Sequence, residues 1–312
     1  MSDKNLILKE KLSKLSKVFD LDEILNAPTD TKSVAKYYKV NKLAYTLLHS
    51  REGFVHLGIS YDGKFKKSDL WEQAKIVEKY INDLNASKVL ELATGRGANS
   101  EYLSRKYPQT EFYGLDLPDG QIDLAMNRSK NLKNFHVQEG DFHNLQKYDT
   151  NSFDLVFVIE ALCYSDHKER VLNEVHRILK KDGIFIVIDG FADKHPSEMT
   201  ADEKLAAKLL EKGMRVGKFE SEQAFINLLE KTGFRIVQQK DLSREVQPTL
   251  NRLERRARVP MSLPPVIARL ILRNLASEFT HNIPSGYLFS IALELGLSKY
   301  IVFVAQSRLA KP

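Results

Sequence analysis

Lys88-Val-Leu-Glu-Leu-Ala-Thr-Gly-Arg-Gly-Ala-Asn-Ser100 is the stretch from which the remainder of this 312-residue chain is read. Val89, Leu90 and Leu92 form a short apolar run with the length and character of a parallel strand covered on both faces. Gly95 and Gly97 follow in a tight turn, and a helical pattern runs from Asn99 to Lys106. A strand that passes directly into a helix demands unusual φ values, which glycine adopts at no steric cost. Glycine also lets a ligand approach bare backbone at the positively polarised start of a helix. This is the form of a nucleotide-type binding turn. The dinucleotide pattern G-x-G-x-x-G, begun at Gly95, meets Ser100 where its third glycine belongs. Read as an acid followed by small residues at alternate positions, the same stretch is Glu91-x-Ala93-x-Gly95-x-Gly97.

Downstream of the turn, strand patterns at 88–93, 111–115, 135–139, 153–159, 183–189, 234–240 and 299–306 alternate with helical ones, which predicts a doubly wound α/β sheet. Asp116 closes the second strand about twenty positions past the glycine turn, where an acid accepts hydrogen bonds from ribose hydroxyls. Thr200-x-x-Glu203 forms a capping box for a helix through Lys212, and Ser221 opens another that Gly233 ends. Residues 242–298 interrupt the pattern before the last strand. They hold Arg252, Arg255, Arg256 and Arg258, then prolines, then an apolar helix around Val266, Ile267, Leu270 and Ile271. Upstream, residues 4–19 make a basic amphipathic helix with Leu8, Leu12, Leu15 and Phe19 on one face. Its uses are packing onto the domain or contact with a membrane surface. The arginine cluster has three uses: a solvated helix face, a clamp for substrate phosphate, or a contact with anionic lipid.

Three segments then carry a family resemblance: Glu91-x-Ala93-x-Gly95-x-Gly97, Gly140-Asp-Phe142, and Phe153-Asp-Leu-Val-Phe-Val-Ile-Glu160. Together they resemble the class I S-adenosylmethionine (AdoMet)-dependent methyltransferases, with Ala93 in place of the first glycine of the first motif. The His56-Leu-Gly58 loop, the Gln73-Ala74 helix and Gln121-Ile122 resemble segments of the sterol C-methyltransferases and cyclopropane-fatty-acid synthases. The resemblance implies a seven-stranded Rossmann-like methyltransferase sheet with the last strand antiparallel. A helical N-terminal cap over 1–84 and a methyltransferase domain over 85–312, with a lid insertion at 242–298, complete the expected architecture. It implies AdoMet as cofactor, held by Glu91, Ala93, Gly95, Gly97, Asp116, Leu117, Gln121, Asp141, Phe142 and Ile159. Glu160 would face the transferred methyl as base or cation stabiliser, or else only shape the pocket. Tyr37, Tyr38, Tyr45, His56, Tyr61 and Tyr164 would line the substrate side. The aromatic cap implies a hydrophobic or amphipathic small-molecule acceptor such as a sterol, isoprenoid or lipid, with carbon slightly favoured over nitrogen or oxygen.

Composition sets the remaining bounds. One cysteine, Cys163, excludes an internal disulfide and leads to the expectation of a reducing, cytoplasmic setting. No histidine or cysteine has a partner at metal-ligand spacing, so no metal is expected. A net charge of +6 without interleaved exposed aromatics gives no expectation of nucleic-acid binding. Self-association is left open. Two other classes share parts of the pattern. An NAD-dependent oxidoreductase would use Gly95, Gly97 and Asp116 but has no need of Asp141 and Phe142. A non-catalytic partner protein of the methyltransferase fold would keep the sheet and bind cofactor poorly.

Overall fold

A computed structural model describes residues 3–118 and 121–308, and all side chains within them but that of Leu48. The strands are β1 (Lys88–Leu92), β2 (Glu111–Asp116), β3 (Phe135–Glu139), β4 (Phe153–Ile159), β5 (Leu179–Ala192), β6 (Phe234–Asp241) and β7 (Ser298–Ser307). They form one sheet in the order 3-2-1-4-5-7-6. β1 to β5 are parallel, and β7 runs antiparallel between β5 and β6, as expected. β5 starts four residues earlier than its pattern at 183–189 indicates, because the chain is already extended at Leu179 (ψ 138°).

Alternation along the central strands builds two cores, one on each face. Ile184, Ile186 and Ile188 of β5 join Val302 and Val304 of β7 beneath α4 (Glu72–Leu84), α5 (Ala98–Lys106) and the start of α10 (Ser243–Ala257). Phe185, Val187, Ile301 and Phe303 face the other way, onto α7 (Lys168–Ile178) and α9 (Glu222–Lys231). Each large side chain so buried contributes about 2 kcal/mol relative to exposure. α6 (Ile122–Ser129) covers β3.

The helical cap differs from the expected division. α1 (Asp3–Val18) and α2 (Leu21–Leu25) share a third core with α8 (Ala201–Gly213), α11 (Pro265–Leu272) and α13 (Asn282–Glu294). Cap and insertion are therefore one helical layer assembled from distant parts of the chain. α4, placed in the cap by its sequence position, instead packs on the sheet through Val77 and Ile81. Leu8, Leu12 and Leu15 are buried in the third core, so α1 uses its apolar face for packing. Lys11 of α1, itself buried, pairs with Glu254 at 2.6 Å and donates to the carbonyl of Tyr287 at 2.8 Å. α3 (Thr31–Ala44), capped by Asp30, runs into a wider π turn over Tyr45–His49. The short α12 (Ser277–Thr280) packs against α3.

Two predictions concern stability. α8 and α13 approach so closely at Gly213 that an added Cβ would overlap Ser285 Oγ and the carbonyl oxygen of His281. Gly213→Ala is expected to cost about 1–3 kcal/mol, read as a lowered denaturation midpoint. The second concerns Glu91, which lies under the glycine turn and accepts from Thr94 Oγ1 (2.7 Å), Ser100 Oγ (2.6 Å) and Asn99 Nδ2 (3.2 Å). Burial outweighs these bonds and pushes its carboxyl from 4.5 up to about 7. Such a group binds its proton more tightly when folded, so its contribution to stability is present at low pH and fades as pH rises through about 7. Glu91→Gln removes that titration. Melting curves across pH 5 to 8 should therefore fall less steeply for the variant than for the parent chain.

Candidate active site

β1 and β4 lie side by side in the middle of the sheet, and the strand order reverses between them. Ligands of open α/β sheets bind at such a switch point, beyond the carboxyl ends of the strands. Both strands leave the sheet through a left-handed residue that is not glycine: Ala93 at φ 52° and Glu160 at φ 49°. Each costs about 1–2 kcal/mol, a strain that persists where the surroundings over-determine it. Gly95 and Gly97 are also left-handed, at φ 57° and 74°. Gly97 is needed for packing, since its Cβ would sit 2.9 Å from that of Ala125 on α6. Gly95 has space around it and gives its N–H to Asp116 Oδ2 at 2.5 Å.

A first cavity opens above this turn and encloses about 920 Å³ of atom-free space, its solvent-open part included. Ala93, Gly95, Asp116, Leu117, Gln121, Asp141, Phe142 and Ile159 all line it. Glu91 and Gly97 do not; they shape the turn from beneath and behind. Asp116 Oδ1 accepts from Leu117 N at 2.7 Å, so each of its oxygens holds one backbone N–H and keeps a further acceptor position. Burial pushes this carboxyl up to about 6. Asp141 is bonded through Oδ1 alone, to the N–H and Nδ1 of His143 at 2.8 and 2.6 Å, while His143 Nε2 meets Ser165 Oγ at 2.8 Å. One further wall comes from α3, through Val34, Ala35 and Tyr38.

A second cavity adjoins the first and shares Tyr38, Val55, Ile159, Glu160 and Tyr164 with it. It brings together Tyr37, Tyr38, Tyr45, His56 and Tyr164 from the expected substrate side. Tyr61 is elsewhere: it is 56 % exposed, with Lys240 Nζ 5.1 Å from its ring centroid. The local sequence alternates apolar and polar residues there, and the chain turns outward at Asp62 and Gly63. Tyr37 and Tyr45 join hydroxyls at 2.9 Å, and Tyr38 donates to Tyr164 at 3.1 Å. His56 Nδ1 lies 2.9 Å from Leu57 O and Nε2 3.2 Å from Asn99 Oδ1, both acceptors, so the neutral ring that burial favours donates to one of them.

Glu160 stands on the boundary between the cavities. Its Oε1 accepts from Leu57 N at 2.8 Å and from Tyr300 OH at 2.6 Å, and no described residue bonds Oε2. Burial, with the Asp189 carboxyl nearby, pushes Glu160 up to about 8. Asp189 ends the strand pattern read at 183–189, three residues before β5 itself ends, and accepts from Cys163 N (2.9 Å) and Gly190 N (2.8 Å). An acid at a strand end is the signal that singled out Asp116, and it applies equally to Asp189. Tyr300 and Arg96 gave no such signal. Tyr300 reads as a buried strand residue, and nothing in the local pattern marks Arg96. Arg96 is in fact 3 % exposed, bonding Gln121 Oε1, Thr46 Oγ1 and Lys42 O at 2.7–2.8 Å. Gln121 Nε2 in turn holds Tyr38 O at 2.8 Å, so the glycine turn is fastened to α3.

The arginine cluster lies outside both cavities. Arg252 donates to His49 O and lies over the Phe65 ring, and Arg258 pairs with Glu254. Among the described residues, no group of three or more His, Cys, Asp or Glu is placed to hold a metal ion, and no helix is long and apolar enough to cross a membrane.

Comparison with known proteins agrees with this geometry. A methyltransferase-domain family profile matches residues 83–248. The demethylmenaquinone methyltransferase of Thermotoga maritima is 37 % identical over 115 residues, covering 37 % of this chain and 48 % of that enzyme. The sterol 24-C-methyltransferase of Kluyveromyces lactis is 30 % identical over 165 residues, 52 % of this chain and 43 % of the relative. The aligned parts thus span about half the length of these curated relatives. Among solved structures, the cyclopropane synthase MmaA2 of Mycobacterium tuberculosis superposes with a TM-score of 0.71 at 15 % identity, over 89 % of this chain and 99 % of that one, a likeness of fold. With its profile match across more than half its length, its strand order and its glycine turn, the chain belongs to the methyltransferase-domain family.

Proposed function

We propose that this chain transfers the methyl group of AdoMet to a small hydrophobic acceptor, at carbon. The observation that carries the reading is Glu160, a strained, half-buried carboxyl on the partition between the cavity above the glycine turn and an aromatic one. The first cavity fits the cofactor. Asp116 retains acceptor positions for two ribose hydroxyls, Asp141 offers a carboxylate oxygen to an adenine amino group, and Phe142 supplies an apolar ring beside it. Gly95 presents backbone without a side chain in the way. The half-buried carboxyls of Asp116 and Glu160 also suit a cationic ligand. When bound, AdoMet supplies an electron-poor methyl group.

The chain's own part is alignment, dryness and proton handling. Tyr37, Tyr38, Tyr45 and Tyr164 exclude water from the acceptor side and offer ring faces to positive charge that develops on an acceptor carbon. Tyr300 and Leu57 fix Oε1, which leaves Oε2 of Glu160 to take the proton that discharges the methylated acceptor. The relatives' activities, on sterols and demethylmenaquinone, support a hydrophobic acceptor.

Isothermal titration tests the cofactor. AdoMet is expected to bind the chain, NAD to give no heat, and Asp116→Ala to weaken AdoMet at least about tenfold, the worth of a charged hydrogen bond. No AdoMet binding by the folded chain would overturn the proposal. A second test concerns Glu160. Its proton must leave before it accepts another, so turnover should rise with pH up to about 8, or lower where the bound sulfonium favours the carboxylate. Glu160→Gln should cut kcat by about 100-fold or more and flatten that limb. Methyl transfer to prenyl and sterol acceptors measures both.

A further inference from the structure

α11 is attached to the protein by a single narrow stripe. Only Ala268 and Leu272 of this helix are buried. Val266, Ile267, Leu270 and Ile271 are 78 %, 48 %, 52 % and 51 % exposed. At 100° per residue these four side chains occupy one continuous arc turned away from the buried stripe. Val259 and Leu263 before the helix and Leu275 after it are exposed as well. A helix on the surface of a globular protein ordinarily turns polar residues outward, and a contiguous apolar face marks a site of contact.

Charge identifies what the face meets. Between Glu254 and Glu278 the chain carries Arg255, Arg256, Arg258, Arg269 and Arg273, and neither an acid nor a lysine. Arg269 and Arg273 are exposed and border the apolar arc on one side, while Arg255 and Arg256 are exposed on the end of α10 just ahead of it. A second copy of this chain is a poor match, because a twofold contact would set this acid-free arginine surface against itself. An apolar arc edged by arginine matches the boundary between acyl chains and anionic headgroups. Sequence alone points to 4–19 or 252–258 for membrane contact, but α1 spends its apolar face on the third core.

We propose that residues 259–275, with α11 at their centre, dock this protein onto an anionic lipid surface. The inference rests on exposure and charge and is independent of the methyl-transfer reading. Its test uses the full chain with vesicles of phosphatidylcholine alone or mixed with phosphatidylglycerol, in co-sedimentation at two salt concentrations. Binding to the anionic vesicles and not to the neutral ones is expected, weaker at high salt. Arg269→Gln with Arg273→Gln should lower partitioning roughly 25-fold, about fivefold for each arginine. Val266→Asp with Leu270→Asp should abolish it. These side chains are exposed, so circular dichroism and the melting point should match the parent chain. Failure to sediment with anionic vesicles overturns the proposal. So does a dimer in light scattering that Val266→Asp dissociates, which would make the face a contact between copies.

Discussion

Glu160 Oε1 receives hydrogen bonds from Leu57 N and Tyr300 OH, and through them three distant parts of the chain meet at the end of β4. Leu57 belongs to the loop that precedes the sheet and Tyr300 to its last strand, while Gln73 of α4 donates to both Leu57 O and Tyr300 OH. Thr249 of α10 holds the same loop at Gly58 from the other side. The left-handed backbone at Glu160 makes this meeting possible, because it turns the chain out of the strand at the position where the loop arrives. The strain is offset by the bonds that Glu160 makes there. Without the carboxyl, Leu57 N and Tyr300 OH would be left to find other partners in a buried place.

Much of this was legible in the sequence because the signals are local. Strands buried on both faces announce themselves as apolar runs, and strand-to-helix turns at Gly95 and Gly97 as glycines. Asp116 ends β2, and Asp141 and Phe142 come just past the end of β3, where the sheet presents residues to a ligand, and all three line the first cavity. What was hidden depends on distance in space. Glu91 and Gly97 belong to the motif, yet one is stitched under the turn and the other makes room for α6. Tyr61 has the same local composition as its neighbours but faces solvent. Arg96 is buried only because α3 lies across it, a contact between residues about fifty positions apart. The shared core of α1, α8 and α13 likewise has no counterpart in any single window of sequence.

The site is also a division of labour between layers. Parallel strands fix the polar end, whose carboxyls are held by backbone N–H groups of the sheet and its turns. The aromatic end is supplied mostly by the helical layer, where tyrosines are held by contacts with one another. The two ends are not independent, because Arg96 and Gln121 tie the glycine turn to Lys42 O and Tyr38 O of α3.

The raised carboxyls give the site a proton economy. Burial pushes Asp116 up to about 6 and Glu160 up to about 8, so at neutral pH the proton held in this site sits mainly on Glu160. A cation placed against these groups draws both values down and expels part of that proton, whereas a neutral ligand in the same place leaves it. The proposed methyl donor is a sulfonium and its spent form a neutral thioether. Rising pH therefore tightens the donor and leaves the spent form unmoved, and the heat of donor binding varies with the ionisation enthalpy of the buffer.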